Sequence, residues 1–156
     1  MITNDHFEAT SWHDNPIHAF RIVEGEHGGG DLILDIDHIV EWVLRDDGYY
    51  AFTLVAANLT FHDVTDLIIS IDYLSCSAGL QPPSIHDIQR ETATYPNDSR
   101  RYKWAIDINW PRNSFIRFWG SGFTQTARTE PIAGQGQTLP VAMRNVGGIP
   151  IAATGG

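Results

Sequence analysis

Hydrophobic and polar residues alternate with a period of two along most of the chain, and helical spacing is scarce. In DLILDID (31–37), Leu32, Leu34 and Ile36 fall on one face of a strand and Asp31, Asp35 and Asp37 on the other. IHAFRIVE (17–24), which follows Pro16, reads as a strand with His18, Phe20 and Ile22 on one face. The glycines of GEHGGG turn the chain between these two strands, because glycine takes positive φ at little cost. HIVEWVL (38–44) fits two descriptions: the strand continuing past a bulge, or a turn or two of helix burying Ile39, Trp42 and Val43. Asp47-Gly48 marks a hairpin, and YYAFTLV, NLTFHD and DLIISIDYL follow as strands. Beyond the break at SAGLQPP come SIHDIQRETA, RRYKWAIDINW, SFIRFWGS and GFTQTAR, with Trp104, Ile106, Ile108 and Trp110 as the most regular alternating set. About eight or nine short strands at roughly ten-residue spacing predict an all-β, antiparallel fold, a two-layer sandwich or an open barrel with little helix.

From Thr129 the pattern stops. TEPIAGQGQTLPVAMRNVGGIPIAATGG is rich in Gly, Pro and Ala with single apolar residues scattered through it. The expected organisation is therefore an all-β domain over residues 1–128 and an extended Gly/Pro-rich arm over 129–156. Such an arm lies on its own domain or on a neighbouring subunit, and homo-oligomerisation through it is the expectation drawn.

Composition narrows the class. At 156 residues, 42% hydrophobic and 19% charged, the chain matches an ordinary single globular domain able to bury its own core. Cys76 is the only cysteine, so neither an intrachain disulfide nor a cysteine-based zinc site is available. The polar start MITNDHFEAT lacks the basic and apolar regions of a secretory signal, and no apolar run is long enough for a membrane helix. A cytoplasmic protein with no membrane contact is expected. Charge is unevenly placed: residues 1–75 hold 14 acids against Arg21 and Arg45, whereas residues 76–156 hold 5 acids against 8 bases, for a net −9. Charges offset across paired strands would explain this, and so would an acidic face that attracts a cationic partner. Bases so few and scattered disfavour nucleic acid.

Candidate chemistry centres on three His-Asp dipeptides, His13-Asp14, His62-Asp63 and His86-Asp87. Imidazole and carboxylate suit zinc, iron or manganese, but no pair stands at a chelating spacing such as H-x-H or H-E-x-x-H. Turns and strand ends account for each pair: Asp14-Asn15-Pro16 as a turn, Asp63 and Thr65 bonding a turn backbone, and His86 and Asp87 on opposite faces of a strand. Ser121 in WGSGF lacks the spacing of a nucleophile elbow, and Cys76 reads as a buried, inert thiol. Catalytic residues and cofactors are accordingly expected to be none.

The pattern as a whole resembles small all-β bacterial proteins of poorly defined function, among them immunity-type proteins of toxin systems. The likeness rests on an HD opening the first strand, here His13 and Asp14, and on L-x-F-x-x-V-x-x-L, here Leu59, Phe61, Val64 and Leu67, within residues 12–128. It implies a non-enzymatic protein that binds and blocks a partner. The leading expectation is a non-catalytic interaction protein, joined to a protein partner or to itself, with Asp31, Asp35, Asp37, Asp46 and Asp47 as its acidic surface. The rival is a metal-dependent enzyme or small-ligand binder built on His13, Asp14, His18 and His62, with Trp12 or Trp42 walling the pocket.

Overall fold

The computed structural model describes residues 1–76, 79–94, 100–134 and 136–144, with Thr94 and Arg100 described by backbone alone. Residues 145–156 of the expected arm lie outside that set. Nine antiparallel strands form one sheet curled into a half-barrel, as the alternation predicts. They are β1 (Ile2–Thr3), β2 (Ile17–Glu24), β3 (Gly30–Leu44), β4 (Tyr50–Ser70), β5 (Ser84–Thr94), β6 (Arg100–Trp110), β7 (Phe115–Gly120), β8 (Gly122–Ala127) and β9 (Ile132–Gly134). A single helical turn, α1 (Val141–Arg144), follows them.

β4 organises the sheet. Its first part pairs with β3 from Tyr50 to Val64, its middle with β8, and its end with β7. At Asp63 and Asp66 the backbone is left-handed (φ 53° and 54°), and the strand turns a corner there. Asp and Asn tolerate that region better than other non-glycine residues. β7 and β8 take the same corner at Ser121, whose N–H bonds the His62 carbonyl at 3.0 Å and whose hydroxyl donates to the Asp63 carboxylate. Arg101 on β6 clamps it by donating to the Asp63 carbonyl and to Thr65 Oγ1. FHDVTDL is thus one bent strand, held by groups from other strands, where a turn between two strands was expected. β6 lies between β7 and β5, and β1 borders β8. Among the described residues, the two ends of the curl meet at one bridge, Pro16 to Ser84, with the Ile17 N–H on the Pro83 carbonyl at 2.8 Å.

The inner face carries the alternating residues. Leu32, Leu34, Ile36, Leu59, Phe61, Trp104, Ile106, Ile116 and Phe118 are fully buried there, each contributing about 1.5–3 kcal/mol of transfer free energy. Trp104 meets Phe61 edge-on at 5.1 Å between centroids, and Trp12 meets Phe123 at 5.5 Å. The Trp12 indole N–H donates to Gln125 Oε1 at 2.8 Å, which satisfies the one polar atom that Trp12 brings into the core.

Register shifts interrupt simple alternation at several points, among them Ile17/Ala19, Ile39/Glu41 and the stretch around Ile85. A register shift between Ile17 and Ala19 puts Phe20 and Ile22 opposite Leu34 and Leu32 on the inner side. It also turns His18 to the outer side, where its Nε2 donates to Asp37 at 2.7 Å, so His18 does not share a face with Phe20. A second shift, between Ile39 and Glu41, carries β3 onward as a strand, with Trp42 and Val43 exposed. The helical option for 38–44 is therefore not taken. Shifts around Ile85 let Ile85 and Ile88, three residues apart, both enter the core, so His86 and Asp87 are both exposed rather than on opposite faces.

Candidate functional site

The described part of the arm lies on its own domain. Past β8, the Arg128 N–H bonds the Ala56 carbonyl at 2.7 Å and the Thr129 hydroxyl accepts from the Ala56 N–H at 3.2 Å. β9 then pairs with Phe52, Thr53 and Leu54 of β4. The chain returns across the outer face of β3, where Leu139 packs with Ile39, Leu54 and Ala56, and its N–H bonds Asp37 Oδ2 at 2.9 Å.

This covering corrects the expected acidic face. Strand phase does place Asp35 and Asp37 opposite Leu34 and Ile36, but the arm closes over them, leaving Asp35 8% and Asp37 0% exposed. Arg144 donates from Nε to Asp37 Oδ1 at 3.1 Å and from Nη2 to Asp35 Oδ1 at 3.0 Å, and Arg128 donates to Asp35 as well. Two carboxylates, two guanidiniums and His18 form one buried cluster. Burial pushes the Asp37 carboxyl up, but the His18 and Leu139 hydrogen bonds and the His18 and Arg144 charges outweigh it and hold Asp37 below the usual aspartate value. The cluster fastens the arm, and its carboxylates are closed off from solvent.

The other expected residues fall in separate places. Asp46 and Asp47 stand at the exposed β3–β4 tip, with Asp47 paired to Arg45 at 2.9 Å. Asp31 accepts from His62 Nδ1 at 3.3 Å, and His62 Nε2 meets Thr124 Oγ1 at 3.0 Å. His13 Nδ1 bonds the His86 carbonyl at 2.9 Å, and Asp14 accepts from Asn109 Nδ2 at 2.7 Å. Of the four residues of the metal reading, His13 and Asp14 lie together, with His13 Nε2 3.5 Å from Asp14 Oδ1, whereas His18 and His62 have other partners. Among the described residues no three His, Cys, Asp or Glu side chains stand where they could hold one metal ion. Trp12 is buried in the core and Trp42 lies on the projecting hairpin.

Of the residues that do converge on open space, the sequence marks Asp31 for binding and Val64 and Leu67 for packing, but neither Glu24 nor Asp66. β3 leaves β4 at the Gly30–Val64 pair, just where β4 turns its corner, and the β2–β3 tip stands beyond it. Between them is a cleft of about 600 Å³, lined by Ile22 and Glu24 of β2, Gly28 to Leu32, and Val64 to Leu67. Gly30 is required here, since a Cβ would overlap the Val23 carbonyl oxygen. Glu24, Asp31 and Asp66 are the charged residues of the lining, Asp31 with its carboxylate on His62, and no Arg or Lys is among the described lining residues. Phe20 and Ile22 carry on the inner face beside it yet are 48% and 65% exposed. The cause is topological: among the described residues the far end of the curl meets this edge at Pro16 and Ile17, so the second half of β2 has core-facing side chains and no described layer opposite. A periodicity that places Phe20 and Ile22 on one face could not reveal this gap.

No protein-family model matches the chain, and neither a curated protein nor a solved structure is significantly similar to it. Among the described residues no helix is long and apolar enough to cross a membrane.

Proposed function

We propose that the protein is a non-catalytic binding module that receives a cationic, partly apolar protein segment in the cleft beside β2. The observation that carries this reading is the exposure of Phe20 and Ile22 on the inner face, next to a cleft whose charges are Glu24, Asp31 and Asp66. The apolar wall supplies affinity, because a buried isoleucine or phenylalanine is worth about 1.5–3 kcal/mol. Carboxylates at the surface add at most about 1 kcal/mol each and act mainly on orientation and on-rate. Occupying such a segment on a partner would block that partner, which is the role implied by the likeness to immunity-type proteins.

The test is fluorescence anisotropy with two labelled peptides of equal length, one alternating arginine and leucine, the other glutamate and leucine. The arginine peptide should bind with an affinity that falls as salt rises. Binding should weaken in an Ile22→Ser variant and lose its salt dependence in a Glu24→Gln, Asp31→Asn, Asp66→Asn variant. Asparagine suits position 66 because it tolerates the left-handed backbone there. Equal binding of both peptides, or none, would overturn the reading.

A further inference from the structure

The β3–β4 hairpin extends beyond the arm-covered face, and every residue from Val40 to Tyr50 is exposed. Trp42, Leu44, Tyr50 and Phe52 share one side of it through the Trp42–Phe52 and Leu44–Tyr50 pairs, with the Trp42 and Phe52 rings 4.9 Å apart. One edge of the hairpin is occupied where β4 pairs with β9. The other is not: β2 pairs with β3 only as far as Ile36, and no described residue pairs with the β3 edge over 40–44. The Arg45 N–H bonds the Tyr49 carbonyl at 2.7 Å, so the alternation of an antiparallel ladder turns the peptide groups of Leu44 and Trp42 outward. An unpaired edge of this kind is a template for another strand.

The sequence of this edge selects the strand that fits it. When Glu41-Trp42-Val43-Leu44-Arg45 pairs antiparallel with its own copy about a twofold axis at Val43, Trp42 faces Leu44 of the copy and Glu41 faces Arg45, twice. An axis at Leu44 would set Glu41 against Asp47, a like-charge pair, and an axis at Trp42 would leave Arg45 facing Ile39. Only the Val43 register matches both charge and shape, and it places the outward groups of Trp42 and Leu44 opposite each other, as a hydrogen-bonded pair requires. Among the described residues Arg45 pairs with Asp47 alone, an exposed pair of the kind worth about 0–1 kcal/mol, so it is available to a partner. We propose that the protein forms a twofold dimer by joining these β3 edges, with its axis at Val43, independently of the cleft.

Sedimentation equilibrium of the full chain over a concentration series tests this. The wild type should show a monomer–dimer equilibrium, and Trp42 fluorescence should shift to shorter wavelength as dimer forms. Glu41→Arg and Arg45→Glu alone should each weaken association by about tenfold or more, since each sets like charges in register. The double variant Glu41→Arg, Arg45→Glu should restore it, a rescue that loss of folding could not produce. Leu44→Pro, which removes an outward N–H, should give a monomer with an unchanged far-ultraviolet spectrum. A wild type that stays monomeric, single variants that associate like it, or a dimer unaffected by both charge variants and Leu44→Pro would each overturn the proposal. Binding to phospholipid vesicles by a chain that remains monomeric in solution would overturn it too, in favour of a lipid-facing hairpin.

Discussion

Replacing Arg144 by methionine should cost about 3 kcal/mol of stability and free the arm. Removing one member of a buried ion pair generally costs about 3–5 kcal/mol, because the remaining charge keeps its desolvation penalty and loses its counterion. Here the lower end applies. Asp35 would retain Arg128, and Asp37 would retain His18 at 2.7 Å and the Leu139 N–H at 2.9 Å. The loss is also capped, since the arm can lift away and let both carboxylates hydrate. That route forfeits the burial of Leu139 over Ile39, Leu54 and Ala56, about 1.5–3 kcal/mol for the leucine. Urea unfolding gives the magnitude, and limited thermolysin digestion gives the location: cleavage near Leu139 should accelerate under conditions that leave the sheet intact. In a double-mutant cycle with Asp37→Asn, the second substitution should cost less once Arg144 is gone. An Arg144→Met protein within about 0.5 kcal/mol of wild type, with the arm as protease-resistant as before, would refute the claim that this cluster fastens the arm.

Acid stability provides a second check. His38 is buried, accepts a hydrogen bond from Asn15 Nδ2 at 2.8 Å, and is lowered by desolvation from 6.5 to about 4. As pH falls through 6.5 the unfolded chain takes up this proton while the folded chain does not, so stability declines between pH 6.5 and 4, by up to about 3 kcal/mol. A His38→Gln variant should flatten the dependence of the urea midpoint on pH across that window; a slope unchanged from wild type would exclude His38 as its source. Below it the lowered carboxyl of Asp37 acts in the same direction: its contribution is complete above the unfolded value of 3.8 and is lost as pH falls through its folded value. In the core, Gln125→Leu should cost about 1–3 kcal/mol by leaving the buried Trp12 indole N–H without its acceptor. Thermal unfolding of Gln125→Leu alone and with Trp12→Phe reads this directly, and the second substitution should recover part of the loss.

Strand phase was legible in the residue pattern because it is a local property. Leu32, Leu34 and Ile36 alternate with Asp31, Asp35 and Asp37, and the observed strand keeps that division face for face. The hairpin at Asp47-Gly48 was equally legible, since Gly48 takes the left-handed conformation (φ 83°) that the turn needs. Bulges were less so. The change of face at His18 depends on how β2 is pulled onto β3, and an extra residue in a strand carries no compositional mark.

What the pattern alone determined is an all-β antiparallel chain and, away from the bulges, which residues share a face. Whether a face is covered was decided only in three dimensions. Asp35 and Asp37 meet Arg144 from 109 and 107 positions away, so carboxylates that read as solvent-facing are buried. Phe20 and Ile22, set on one face by the alternation, are open, because among the described residues the curled sheet does not close over the second half of β2. Periodicity reports a side chain's direction, which follows from the backbone within a few residues. Burial and charge pairing depend on what arrives from the rest of the chain, and so the arm's clasp and the open cleft emerge only when the sheet is folded.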